Sequence, residues 1–310
     1  MSVNLQKLRV EIKGLIFRNP TILASGILSN TAGLIKRMVF EGGAGGVTFK
    51  TITLNPRKGY DNPVIAVVKA GLINSMGLPN PGLDEALKEI IEAKRILPPD
   101  TPLIVSFASS DPTEAQYIAG KLEEAKADAI EFNLSCPHAK KLGLVLSQDM
   151  KLVELLIESI KSTTKIPLFV KLGLQDNIVD LAKRIENKGA DVIVAINTIR
   201  AMVIDVYARR PVLKNIYGGL SGPAIHPIAV RVVYDLYKNI TIPIIGVGGV
   251  EDWHDALEFI LAGAKAIEIG TAVYTKGIEV FKEICRGLLT YIESEGFNSI
   301  SDLVGLAHKI

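Results

Sequence analysis

The chain has 310 residues, 48% of them hydrophobic and 22% charged, with a formal net charge of +2. That balance describes a well-cored globular protein rather than a disordered one. The small charge argues against a nucleic-acid partner, since no Lys/Arg run interleaves with aromatics. Two cysteines, Cys136 and Cys285, are too few for a disulfide framework or a four-ligand iron–sulfur cluster, and they point to a reducing compartment. The opening MSVNLQKLRVEIKG has no apolar signal core, and no apolar run approaches the length of a membrane span. A cytoplasmic protein with no metal site is expected. The basic spots Pro56 to Gly59 and Lys140–Lys141 read as solvated loops.

Taken in order, Leu8, Val10 and Ile12 alternate, Gly14 turns and Leu15 to Phe17 follow, which predicts a small N-terminal hairpin. A strand-then-helix rhythm comes next. The strand candidates are Thr21–Ser25, Gly46–Thr51, Leu103–Phe107, Ile130–Ser135, Leu168–Leu172, Val192–Asn197, Ile244–Val247 and Ala266–Gly270. Between them lie amphipathic helices, with Ala86, Ile90, Ala93 and Leu97 in phase over Asp84–Leu97. Val153, Leu156, Ile157 and Ile160 do the same over Lys151–Thr163, and Ala229, Val232, Val233 and Leu236 over Pro227–Lys238.

Eight strands, each followed by a helix and mostly apolar on both faces, predict an α/β fold: a (β/α)8 TIM barrel occupying 1–310 as a single domain. An open doubly wound sheet fits less well, because Ala24-Ser25-Gly26-Ile27 lacks the dinucleotide glycine spacing after the first strand. The helix-to-strand turns are short and glycine-closed at Gly42-Gly43, Gly189 and Gly263. By contrast, the strand-to-helix connections Thr53–Leu83, Pro137–Met150 and Thr198–Ile225 are long. In a barrel these gather at the C-terminal rim, which is therefore the working end.

Four features carry chemistry. The stretch IEFNLSCPH, Ile130 to His138, reads as a half-buried strand that stops at Pro137. It would present Cys136 at a strand end, where a reactive thiol belongs. The last two strands both run into glycines, at Gly248-Gly249 and at Gly270-Thr271, which suits a bound phosphate. Lys50 and Lys171 sit on otherwise apolar strands and need counter-charges, or serve an anion; a Schiff-base lysine is a third reading. Asn74, Asn80, Asn133 and Asn197 fall near the same rim, and amides suit a flat heterocycle edged with amide and carbonyl groups. Cys285, inside an amphipathic helix, reads as packing.

These residues carry a resemblance. TILASG (Thr21–Gly26), Lys50-Thr51, NSMGLPN (Asn74–Asn80), NLSCP (Asn133–Pro137), Asn197-Thr198, GGLSG (Gly218–Gly222), Gly248-Gly249 and Gly270-Thr271 occur in order. Over nearly its whole length the chain resembles the soluble class 1 dihydroorotate dehydrogenases, nearer the B-type catalytic subunit. NSMGLPN and NLSCP are the specific motifs. The resemblance implies FMN as cofactor and oxidation of (S)-dihydroorotate to orotate in pyrimidine biosynthesis. Cys136 would take the C5 proton while hydride passes from C6 to FMN N5. Substrate would be held by Lys50, Asn74, Ser75, Met76, Gly77, Leu78, Asn133, Asn197 and Thr198. FMN would be lined by Ser25, Lys50, Thr51, Asn133, Lys171, Ile196, Gly222, Gly248, Gly249, Gly270 and Thr271. The resemblance further implies a homodimer and a separate subunit carrying FAD and an iron–sulfur cluster; fumarate or a quinone are the other acceptors.

Two positions depart from the family pattern. His138 stands two residues after the cysteine, where Asn is usual, and Cys-Pro-His also occurs in dihydropyrimidine dehydrogenases, which act on uracil and thymine. Those enzymes, the alternative reading, are not similar across NSMGLPN. Ser106 stands where B-type relatives usually place a flavin-contacting Asn.

Overall fold

The computed structural model describes residues 5–134 and 149–309. A hairpin of β1 (Val10–Ile12) and β2 (Leu15–Phe17) comes first, followed by β3 (Thr21–Leu23), α1 (Ala32–Arg37), β4 (Gly46–Ile52), β5 (Ile65–Val68), β6 (Gly71–Asn74) and α2 (Leu83–Ile96). The middle of the chain gives β7 (Leu103–Phe107), α3 (Pro112–Glu124), β8 (Ala129–Asn133), α4 (Met150–Thr163), β9 (Leu168–Leu172), α5 (Ile178–Asn187) and β10 (Val192–Ala195). Four short strands follow: β11 (Ile199–Ala201), β12 (Ile204–Asp205), β13 (Arg210–Pro211) and β14 (Gly218–Ser221). The chain ends through α6 (His226–Tyr237), β15 (Ile244–Val247), α7 (Trp253–Ala262), β16 (Ala266–Ile269), α8 (Thr271–Lys276) and α9 (Val280–Ser294).

Strands β3, β4, β7, β8, β9, β10, β15 and β16 pair in parallel and in that order, and β16 returns to β3, closing a (β/α)8 barrel. The helix periodicity is that of the sequence: α4 buries Val153, Leu156, Ile157 and Ile160. Helix exits close on left-handed glycines at Gly43, Gly189 and Gly263, with φ of 91, 98 and 119°. A side chain there would be strained, so each turn is short and the next strand starts at once.

One reading needs correction. Strand β8 is not half-buried: all five of its residues, Glu131 and Asn133 included, are buried. One face meets the helices, where Phe132 packs 5.2 Å from Phe107, and the other turns into the barrel. A polar residue in such a strand therefore faces the interior, not water.

The long connections also hold structure that their composition hides. Strands β5 and β6 from the first pair with β14 and β11 from the third in a four-stranded antiparallel sheet. It lies next to the strand ends, with Asn74 opposite Gly219.

Three residues separate helix α7 from Gly248-Gly249, and the helix is held by a capping box. Asp252 accepts from the backbone N–H of His254 at 2.8 Å and of Asp255 at 3.3 Å, while Asp255 accepts from that of Asp252. Burial pushes the Asp252 carboxyl up, but these N–H bonds and His254 outweigh it, and the group titrates below its ordinary value. Asp252→Ala should cost about 1 kcal/mol, read as a lower denaturant midpoint at unchanged slope. The difference should be full above the unfolded carboxylate value of ~3.9 and vanish as pH falls through the depressed folded value.

Candidate active site

The C-terminal strand ends and the four-stranded sheet enclose a cavity of about 300 Å³, within the range of small-molecule sites. Among the described residues, every position named for FMN lines it, from Ser25 and Thr51 through Asn133, Lys171 and Ile196 to Gly222, Gly248, Gly249, Gly270 and Thr271. Lys50, Asn74, Met76, Gly77, Leu78, Asn197 and Thr198 line it too. Cys136 and His138 lie outside the described residues.

Consecutive residues Lys50 and Thr51 both reach the cavity because the β4–β7 register shifts between Phe49 and Ile52. In a regular strand neighbours point to opposite faces; the irregularity re-aims one of them. Thr51 is the centre of a directed hydroxyl chain. The Ser25 hydroxyl donates to the Phe49 carbonyl at 3.0 Å, so Thr51 must donate to Ser25 (3.1 Å) and accept from Ser106 (2.9 Å) and from the Asn133 amide (3.2 Å). This fixes the Asn133 amide with its oxygen opposite the donating nitrogen. Ser106 is wholly buried and is not a cavity residue; it acts by donating to Thr51.

Lys171 has the counter-charge its position demanded. Its Nζ lies 2.5 Å from Glu268 Oε2 and 3.8 Å from Glu131 Oε2, and Thr48 donates to the other Glu268 oxygen at 2.8 Å. Burial works to lower the lysine pKa, but the charges of Glu131 and Glu268 and the bond to Glu268 outweigh it, so the ammonium is held firmly. Paired with two carboxylates in this way, Lys171 is placed as a fixed cation rather than as a Schiff-base nucleophile. Neither glutamate was singled out in the sequence, although each interrupts an apolar barrel strand just as Lys171 does.

The opposite end of the cavity is built of glycines. Gly222, Gly248 and Gly249 all have positive φ, at 97, 137 and 73°. A Cβ on Gly249 would stand 2.7 Å from the Gly222 carbonyl oxygen, and one on Gly222 would stand 2.7 Å from the Gly71 Cα. Only bare backbone lets these three segments meet. Thr271 donates to Ser221 across the same end at 2.8 Å. His226, unremarked in the sequence, links the glycine turn to α7, with Nδ1 3.2 Å from the Gly248 carbonyl and Nε2 3.0 Å from Glu258.

The NSMGLPN loop forms one wall, and three of its members, Ser75, Pro79 and Asn80, do not line the cavity. Ser75 is buried and accepts from Asn215 at 3.1 Å. Asn80 is the loop's staple, donating to the Leu78 carbonyl at 2.9 Å and to Thr53 at 3.0 Å, and accepting from the Gly82 N–H at 3.0 Å. Leu78 itself is held at φ 56°, a conformation that strains a side-chain-bearing residue and marks functional loops. Cys285 is buried beside Thr21, its thiol pushed up to about 12 by burial, as befits a packing residue.

Among the described residues, no helix is long and apolar enough to cross a membrane. The family model described as dihydroorotate dehydrogenase matches residues 7–292. The chain is 50% identical over 304 residues to the dihydroorotate dehydrogenase B (NAD(+)) catalytic subunit of Pyrococcus horikoshii, covering 98% of each. It is 48% identical to the protein of the same name from Pyrococcus furiosus, over 98% of this chain and 99% of that one. A crystal structure of DHODH from Eimeria tenella in complex with ferulenol superposes with a TM-score of 0.85 at 27% identity, covering 98% of this chain and 89% of that one. With the family model matched across most of the barrel and half of all residues shared with a B-type catalytic subunit, the chain belongs to the dihydroorotate dehydrogenase family, class 1 and B-type, an oxidoreductase family of pyrimidine biosynthesis.

Proposed function

We propose that residues 1–310 form one FMN-binding barrel domain that oxidises (S)-dihydroorotate to orotate. The observation that carries this reading is a single cavity with a buried ammonium, Lys171, at its base and a glycine-only meeting of Gly222 and Gly249 at its end. Those features fit FMN. The glycine end with Gly248, Gly270 and Thr271 would hold the phosphate, and Ser25, Lys50, Thr51, Asn133, Lys171 and Ile196 would hold the ring. When bound, FMN supplies the acceptor, at N5, for the hydride leaving C6 of the substrate.

The chain's own residues do the rest. Lys50 neutralises the substrate carboxylate at the cavity mouth. Asn74, Asn133, Asn197 and Thr198 pair with the amide and carbonyl edges of the ring, each amide offering a donor and an acceptor. Met76, Gly77 and Leu78 cover the substrate and keep water out, while Ser75 supports them from behind. Cys136 takes the C5 proton; an ordinary thiol value of ~8.5 lies near enough to neutrality for that transfer.

The similarity to NAD(+)-type catalytic subunits, together with the family resemblance, extends the reading to electron output. As a B-type catalytic subunit, the chain would pass electrons toward NAD through a separate subunit carrying FAD and an iron–sulfur cluster, and would itself pair as a homodimer. The ribbon of β12 and β13 exposes Val206 at 73% and Tyr207 at 94%, apolar surface of the kind that partners cover. The test is anaerobic bleaching of the FMN-reconstituted protein. Dihydroorotate should bleach it and dihydrouracil should not; a colourless protein that takes up no FMN would end the assignment. Co-purification from the native source with an acceptor screen tests the partner.

A further inference from the structure

Strands β3, β7, β10 and β15 carry no charged residue, so the charged side chains on the barrel strands are Lys50 of β4, Glu131 of β8, Lys171 of β9 and Glu268 of β16. Lys50 sits at the partly exposed mouth. The other three are enclosed, at 0, 5 and 1% exposure for Glu131, Lys171 and Glu268. One ammonium therefore faces two carboxylates in a medium that tolerates net charge poorly.

The two carboxylates are not equivalent. Glu268 has Lys171 on one oxygen and the Thr48 hydroxyl on the other. Glu131 receives no hydrogen bond at either oxygen among the described residues. Its register partner on β7 is Ser106, whose hydroxyl is engaged with Thr51 at 2.9 Å and gives Glu131 only a minor contact that favours the charged form. Burial, reinforced by Glu268 and opposed by the charge of Lys171 and by the Ser106 hydroxyl, pushes the Glu131 carboxyl up to about 7. Lys171 and Glu268 line the cavity, whereas Glu131 lies beneath them.

From this arrangement we infer that Glu131 is a positioning residue that acts through Lys171, binding one solvent proton when negative charge develops in the cavity and releasing it when that charge leaves. The inference rests on the FMN reading above. With FMN held by the cavity residues, each substrate oxidation would bring in a hydride, one proton with two electrons, and so add one negative charge to the cavity that Lys171 lines. The Glu131 carboxylate then forms one O–H bond to a proton from solvent; no bond in the chain breaks, and the cluster passes from a net −1 to neutral. Reoxidation reverses both changes. Lys171 is thereby freed from sharing its charge with two carboxylates when the cavity needs it most.

The test compares FMN-loaded wild type with Glu131→Gln, which keeps the shape and removes the titration. Midpoint potentials are measured by spectroelectrochemistry from about pH 6 to pH 9, the span that brackets a carboxyl raised toward neutrality. Wild type should take up one proton per electron pair at the acid end and two above neutrality; Glu131→Gln should take up one throughout. In parallel, the reduced-minus-oxidised infrared spectrum of wild type above neutrality should gain a protonated-carboxyl stretch. That second readout decides the matter if the variant fails to fold. The same proton count in both proteins, or a wild-type spectrum without the carboxyl band, overturns the inference while leaving intact a dihydroorotate-bleached flavin. A protein that binds no FMN overturns both readings.

Discussion

Cys136→Ala should bind FMN as wild type does and lose turnover by about 10²–10⁴-fold, the usual worth of a positioned general base. The cofactor positions Ser25, Lys50, Thr51, Lys171 and the glycine end are untouched by the change, so flavin content and visible spectrum should not move. The loss should fall on the rate of flavin reduction by dihydroorotate, measured anaerobically in a single turnover, rather than on reoxidation by an added acceptor. Cys136→Ser should recover a little activity only as pH rises, because a hydroxyl gives up its proton far less readily than a thiol. Unimpaired reduction in Cys136→Ala would show that another group removes the C5 proton.

Lys171→Met should destabilise the barrel strongly. It leaves Glu131 and Glu268 buried with no counter-ion, and breaking a buried pair from one side costs about 3–5 kcal/mol. The pH dependence has a definite sign. Carboxyls whose folded pKa is raised give a folded state that binds more protons than the unfolded one, so stability falls as pH rises. Glu131 already stands at about 7, and removal of the ammonium pushes it further up. The deficit of Lys171→Met should therefore be greatest above neutrality and shrink on acidification toward ~4.3, the unfolded glutamate value. Denaturant midpoints at two pH values measure it. The double variant Lys171→Met/Glu268→Gln should recover part of the loss at alkaline pH; equal deficits at both pH values would mean that charge is not the cause.

The barrel was legible because its signals are local. Strand β9 begins and ends at Leu168 and Leu172 as read from apolar content alone, and α4 buries the residues its 3.6-residue period selects. The antiparallel sheet was not legible, because β6 and β14 are far apart in the chain and each is short. Nothing in Gly71–Asn74 announces Gly218–Ser221 as its partner. The role of Asn80 stayed open between ligand contact and turn residue for a related reason: an amide in a loop reads the same in either place, and its bonds to Leu78, Thr53 and Gly82 decide for the turn.

Sequence alone determined the order of strands and helices, the working end of the barrel and the residue types offered there, since periodicity and motif spacing are properties of neighbouring residues. Tertiary structure alone decided which groups meet. A register shift puts Lys50 and Thr51 on one cavity, and closure of β16 onto β3 brings Glu268 to Lys171 across 97 residues of chain. The physical reason is that buried charge is balanced through space, and the distances that govern that balance exist only once the sheet has closed.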